Sequence, residues 1–415
     1  MFSSGLPLGA RRARIYPAPE SGSLALVSDL SQIRIPATYM RGGTSKGVFF
    51  RLDDLPEAAR RPGEARDRLL LRVLGSPDPY GKQTDGMGGA TSSTSKAVIV
   101  SRSARPGHDV DYLFGQVSIG QPFVDWSGNC GNLTSAVGPF AVASGLVEAG
   151  RVPQDGTCAV RIWQANTGKT IVAHVPVAGG EAREAGGFEL DGVAFPAAEV
   201  RLEFLEPAAG GSLFPSGRLV DELDVPGVGS LSATLVDAGI PLVLVGAGDV
   251  GLAGTESQDE VNGDADALRR FEAIRAQGAV RMGLVSRPEE AAARQHTPKL
   301  AFLAPPKDYV ASSGKAVAAD DLDLLVRVIA MGKLHHAVPG TAAVALAAAA
   351  AVPGTAASAA AGVRSTTRIG HPSGTMEVEV RARQDEDGWA VAAAVMSRSA
   401  RVLMDGHVCV PSGSF

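Results

Sequence analysis

Three cysteines in 415 residues are too few for a disulfide framework, and Cys130, Cys158 and Cys409 are too widely spaced to form a CxxC pair. A reducing cytoplasm is the simpler setting for such a chain. Aromatic residues make up 5%, and the formal net charge is -5 with no polybasic tract, which argues against nucleic acid as a partner. Seven histidines show no metal-ligand spacing. His335 and His336 are adjacent, and neighbours on a helix point in different directions, so they chelate poorly. No motif supplies a cofactor site. Long apolar runs are missing as well. The alanine-rich run 342–351 is short and bracketed by Pro339 and Pro353, so it reads as a buried helix and not a membrane span. Residues 1–30 carry Arg11, Arg12, Arg14, Pro17 and Pro19 but no apolar core of a signal peptide. They read as a disordered extension.

What is present is a chain that is 45% hydrophobic and long enough for two domains. With 50 glycines, 26 prolines and many short β-type runs, it reads as α+β with tight turns. Runs 35–40 and 47–52 flank a glycine turn and predict a hairpin. Helix is expected over 56–74, strands over 95–101 and 111–119, and a strand pair at 158–164 and 170–175. Residues 206–212 look like a linker. A second set follows: a hairpin at 232–236 and 241–245, an amphipathic helix over 264–277, a strand at 299–303, mostly helix over 320–352, and strands at 376–383 and 389–395. The order of hairpin, helix, strands and long apolar helix occurs twice, which predicts two similar halves facing each other.

The chemistry concentrates in four segments. Ser127-Gly128-Asn129-Cys130-Gly131-Asn132 precedes an apolar run at helical spacing, so Cys130 falls at a turn-to-helix junction. Free N–H groups and the helix dipole there lower a thiol pKa and bind carboxylates. The plainer alternative is a buried structural thiol, which is also the reading for Cys158 and Cys409. The loop Gly86–Lys96 is rich in glycine and hydroxyls but fits neither a Walker nor a dinucleotide motif. It offers donors to a carboxylate through residues such as Ser95. Lys96 opens an apolar strand, where desolvation would make it a base; an exposed strand-end lysine is the alternative. Arg41-Gly42-Gly43-Thr44-Ser45-Lys46 reads as an anion clamp or as a charged turn. Ser373 and Gly374, in His371-Pro372-Ser373-Gly374-Thr375, offer a donor in the second half or simply a turn.

Together these motifs resemble the PrpF family, which holds 2-methylaconitate cis-trans isomerases, methylitaconate Δ-isomerases and 4-oxalomesaconate tautomerases. The segments 37–47, 94–96, 127–132, 237–241, 371–374 and 398–406 fall in that family's order, and the resemblance covers about residues 33–412. It implies the diaminopimelate-epimerase fold: two similar domains, each a curved sheet around a central helix, with the active site in the cleft between them. The domains expected are 31–208 plus 385–415, and 209–384. Carried over by position, Lys96 and Cys130 match the family's proton-transfer residues, and Ser45 and Ser373 its other implicated polar positions. Arg41, Gly43, Thr44, Ser45, Lys46, Ser95, Asn129, Gly131, Asn132, Ser373 and Gly374 are the expected substrate-binding set. The epimerases face two cysteines across the substrate; here the second half offers the Ser373 region and no thiol.

The resemblance implies no cofactor or metal, a small unsaturated polycarboxylate as substrate, a cytoplasmic protein and a homodimer. On this reading Lys96, neutral, removes an allylic proton, and Cys130 is either a second acid/base or a carboxylate positioner. A carboxylate-binding accessory protein without turnover, and an amino-acid epimerase, are the rival readings.

Overall fold

The computed structural model describes residues 32–208, 212–386 and 388–414. The extension expected at 1–30, and residues 209–211 of the expected linker, lie outside the described residues.

The strand order of the first half follows from its turns. Gln32–Gly42 and Ser45–Arg51 form an antiparallel hairpin across Gly43, whose φ of +52° suits glycine. Ser45–Arg51 then runs parallel to Lys96–Arg102, which pairs antiparallel with Val110–Val117. That strand lies parallel to Asp155–Gln164, and antiparallel steps continue through Lys169–Ala178 to Glu199–Leu205. The last strand, Gly388–Pro411, pairs with Glu199–Leu205 through residues 393–399 and with Gln32–Gly42 through residues 400–411. These eight strands therefore close into a ring.

The second half repeats the sequence of steps. Gly229–Asp237 and Pro241–Gly246 form the hairpin. A parallel step leads to Lys299–Ala304, an antiparallel one to Leu324–Ala330, and a parallel one to Thr366–His371. Antiparallel pairing with Gly374–Asp385, and of that strand with Gly388–Pro411, completes it. The doubled organisation read from sequence is thus present in the order of the strand steps, although among the described residues the second half's pairings do not close into a ring.

Each half wraps a central helix. Gly131–Ala143 and Gly340–Ala350 both lie in the crossover that a parallel strand step demands. Both are mainly apolar and buried around their whole circumference, as a helix enclosed by sheet must be. Residues 342–350 are essentially without exposure. Their alanines fill the narrow space inside a curved sheet where larger side chains would not fit.

One long element was misread. Residues 320–352 are not mostly helix: Leu324–Ala330 is a strand, buried at every position. A strand covered on both faces loses the alternation that identifies it, and its apolar run merges with the helix beyond. The expected helix over 56–74 divides into Glu57–Arg60 and Glu64–Leu74. Ala265–Arg281 forms as expected, capped by Asp264 through the amides of Asp266 and Ala267.

Candidate active site between two helix N-termini

The two central helices meet end to end. A Cβ added at Gly131 would lie 2.6 Å from the Thr341 nitrogen, so the first turns of Gly131–Ala143 and Gly340–Ala350 abut. Each brings free N–H groups and the positive end of its dipole to one small cavity. Lys96, Cys130, Asn129, Gly131 and Asn132 line it from the first half, and His296, Lys299, His335, Pro339 and Thr341 from the second.

Cys130 caps its helix: the Sγ accepts from the Leu133 amide at 3.4 Å. Lys96 is 5% exposed, and its Nζ donates to Gln116 Oε1 at 2.6 Å and sits 5.0 Å from the Phe114 ring. Gln116 Nε2 donates to the Ser95 carbonyl at 2.9 Å, which fixes the amide so that its oxygen faces the lysine. Burial lowers the Lys96 pKa, and its contact with the Cys130 side chain opposes that shift.

Histidines tie the halves together. His296 Nε2 lies 3.2 Å from the Asn129 carbonyl and must donate to it, which leaves Nδ1 to accept from Lys299 Nζ at 3.4 Å. His335 Nδ1 accepts from the Ala337 amide at 3.1 Å, so its Nε2–H donates to Ser93 Oγ at 3.0 Å. Burial pushes both imidazoles well below the usual histidine range, with the nearby lysines adding to the effect. They are neutral, oriented walls.

Ser45, Ser92 and His335 are shared with a far larger cleft of about 1070 Å³. Its walls carry Arg41, Lys46, Lys333 and Arg401 against Glu184, so the approach to the cavity is cationic. Arg41 is held in place by donating to the Gly43 carbonyl at 3.1 Å and the Ser399 carbonyl at 2.9 Å. Burial and the charge of Arg401 lower its pKa, and Glu184 opposes this.

The profile described as PrpF protein matches residues 32–411 of the chain. The chain belongs to the PrpF family. This PrpF chain is 64% identical over 387 residues to the 2-methyl-aconitate isomerase of Shewanella oneidensis, a match covering 92% of this chain and 98% of that protein. The crystal structure of a methylitaconate-delta-isomerase is 38% identical, with a TM-score of 0.71 over 92% of this chain and 97% of that one. A probable proline racemase from Agrobacterium radiobacter K84 shares the fold alone, at 13% identity and a TM-score of 0.55, covering 92% and 94% of the two chains. The PrpF chain is accordingly an isomerase with an epimerase-like α+β fold.

Within this PrpF chain the residues singled out from sequence divide into two groups. Lys96, Cys130, Asn129, Gly131, Asn132 and Ser45 come together around the cavity, while Arg41, Thr44 and Lys46 stand in the outer cleft. Asn132 bridges inward and outward, donating from Nδ2 to Thr44 Oγ1 at 3.0 Å and accepting at Oδ1 from Arg398 Nε at 3.1 Å. Gly43 passes so close to that side chain that an added Cβ would lie 2.5 Å from Asn132 Oδ1.

Ser95, Ser373 and Gly374 are not among the lining residues of either space. Ser95 Oγ donates to the Val117 carbonyl at 2.9 Å and accepts from Gln83 Nε2 at 2.7 Å, bracing the strand behind Lys96. Ser373 is in the turn between Thr366–His371 and Gly374–Asp385, and its hydroxyl donates to the His336 carbonyl. Gly374 packs against Asp191. The second-half position that answers to Cys130, the residue capping the central helix, is Pro339 and not Ser373.

Lys299, His296, His335 and Gln116 were not singled out as site residues. For Lys299 a signal existed: Lys299-Leu-Ala-Phe-Leu-Ala repeats the form of Lys96-Ala-Val-Ile-Val, a lysine opening a buried strand.

Proposed function

We propose that this isomerase moves an allylic proton in a small unsaturated di- or tricarboxylic acid, and that its main reaction is cis-trans isomerisation of 2-methylaconitate. One observation carries the reading: a buried lysine in contact with a cysteine thiol lies where two helix N-termini converge, at the floor of a cationic cleft. The cleft cations and helix ends favour carboxylates. A buried amine with a lowered pKa suits proton transfer from carbon.

In this mechanism the allylic C–H bond breaks, its electron pair enters the conjugated system, and the proton passes to an amine in the cavity. The dienolate charge comes to rest on a substrate carboxylate facing the amides of both helices, where fixed donors stabilise it without reorganisation. The former double bond gains single-bond character and rotates. Return of the proton to the same carbon gives the geometric isomer; return at the other end gives a shifted double bond, the alternative outcome. A cytoplasmic setting agrees with three free cysteines. The homodimer rests on family membership and is checked by light scattering.

The test is proton NMR in D2O with cis- and trans-aconitate, 2-methyl-trans-aconitate, methylitaconate and 4-oxalomesaconate. Deuterium entering the allylic carbon of 2-methylaconitate as its isomer accumulates is the expected result. Isomerisation of a different acid would transfer the assignment to that acid. Absence of exchange in all of them at high enzyme concentration would favour a binding protein.

A further inference from the structure

The two halves match at one more position. Lys96 is the first residue of a strand that runs parallel to the second strand of the first hairpin. Lys299 is the first residue of a strand that runs parallel to the second strand of the second hairpin, with Leu242 opposite Lys299 itself. Each strand has an antiparallel partner that leads to its half's central helix. The repeat therefore delivers two lysines to one cavity, each from its own half. Both are buried, at 5% and 3% exposure, and among the described residues neither forms an ion pair with a carboxylate.

Their surroundings differ where the repeat has diverged. Beside Lys96 stand the Gln116 carbonyl oxygen and the Cys130 thiol. The matching places beside Lys299 hold Ala330 and Pro339, which accept nothing through their side chains. Lys299 turns instead to the His296 carbonyl, at 3.1 Å, and to His296 Nδ1. Two ammonium groups lining one small buried cavity repel each other, which favours a pair with one amine charged and the other neutral.

We propose that Lys299 is a second proton-transfer residue, paired with Lys96 across the substrate, so that one amine takes the proton from carbon while the other returns one. This rests on the allylic proton-transfer reading and deepens it. In each turnover a C–H bond breaks and an N–H bond forms on the neutral lysine; an N–H bond of the charged lysine breaks and a C–H bond forms. The pair ends with its proton exchanged, and exchange with solvent restores it. The charged and titratable groups facing Lys299 are Lys96, Cys130, Asp125, Arg275, His296 and His335. Burial first, then the charge of Lys96, brings the Lys299 pKa down to about 7, against opposing pulls from Cys130 and Asp125.

The experiment compares Lys299→Met, Lys299→Arg and Lys96→Met with the native enzyme, each checked by near-UV circular dichroism. Isomerisation and substrate C–H exchange in D2O are read together by NMR. In Lys299→Met, isomerisation should fall about 10²-fold or more while exchange at the carbon served by Lys96 persists. Lys299→Arg should be equally slow, since a guanidinium keeps the charge but does not cycle a proton. Three outcomes overturn the proposal: Lys299→Met within tenfold of native, recovery by Lys299→Arg, or loss of all exchange along with isomerisation.

A second measurement does not depend on turnover. Nitrogen NMR of the lysine amines in the native protein should show one titrating near neutrality, with its midpoint moving up in Lys96→Met. If every lysine titrates above about 9, the shared proton does not exist and the pairing falls. Should the native enzyme exchange none of the acids, the functional reading fails, and this titration still decides the pairing.

Discussion

Gly131 and Thr341 are in backbone contact, and the 2.6 Å left for a Cβ is less than any side chain tolerates. Because the obstacle is main chain on both sides, it cannot swing away. Gly131→Ala should push the two helix ends apart and cost about 1–3 kcal/mol of stability, as overpacking does. Activity should fall more steeply than stability, because both helix ends line the cavity proposed for the reaction. Thermal unfolding and kcat/KM on one preparation compare the two.

Lys96→Ala should lose 10²–10⁴-fold in turnover, the usual worth of a positioned acid or base. Near-normal kcat in that variant would remove Lys96 from the chemistry. Cys130→Ala provides a second comparison. With the thiol gone, Lys96 loses the contact that holds its pKa up. Any limb of the pH-rate profile that belongs to Lys96 should therefore move to lower pH.

Arg401 stands in the outer cleft and not in the inner cavity. Arg401→Ala should raise KM about tenfold, a loss of about 1.4 kcal/mol in binding, with kcat within a few-fold of native. Added salt should raise the native KM in the same direction. A fall in kcat with KM unchanged would place this arginine nearer the reaction than the structure does.

Asp237 ends the first strand of the second hairpin and is 7% exposed. Burial raises its pKa from 3.8 to about 6, with Lys169 and Arg294 opposing. A carboxyl with a raised folded-state pKa binds more protons folded than unfolded, so its contribution to stability falls as pH rises from 3.8 to about 6. Above that window the cost is fully present. Asp237→Asn should flatten this part of the pH profile and gain up to about 3 kcal/mol at neutral pH. Denaturant midpoints at pH 4, 5, 6 and 7 would test the sign; a variant less stable than native at pH 7 would refute it.

The doubled fold was readable because hairpins and amphipathic helices announce themselves locally. Gly43 and Gly239 mark turns, and Asp264 caps a helix whose apolar positions recur at the right spacing. Leu324–Ala330 was not readable, since burial on both faces erases its period. The first half of the site was legible for the same local reason: Cys130 and Lys96 each lie at the start of an element. Lys299 also starts an element, yet its importance comes from facing Lys96 across the cavity, a relation that no stretch of sequence contains. Ser373 shows the opposite case. A hydroxyl in a glycine turn looks like a ligand donor until the turn is seen to point its oxygen at the His336 carbonyl.

The ring of strands in the first half is closed by residues 400–411, which are made long after the strand they pair with at Gln32–Gly42. The outer cleft takes Arg401 and Leu403 from this same segment, so the seam and the cleft wall are made by one strand. Without residues 400–411 the first half would keep one seam open, its pairing edge exposed to a neighbouring chain or a protease.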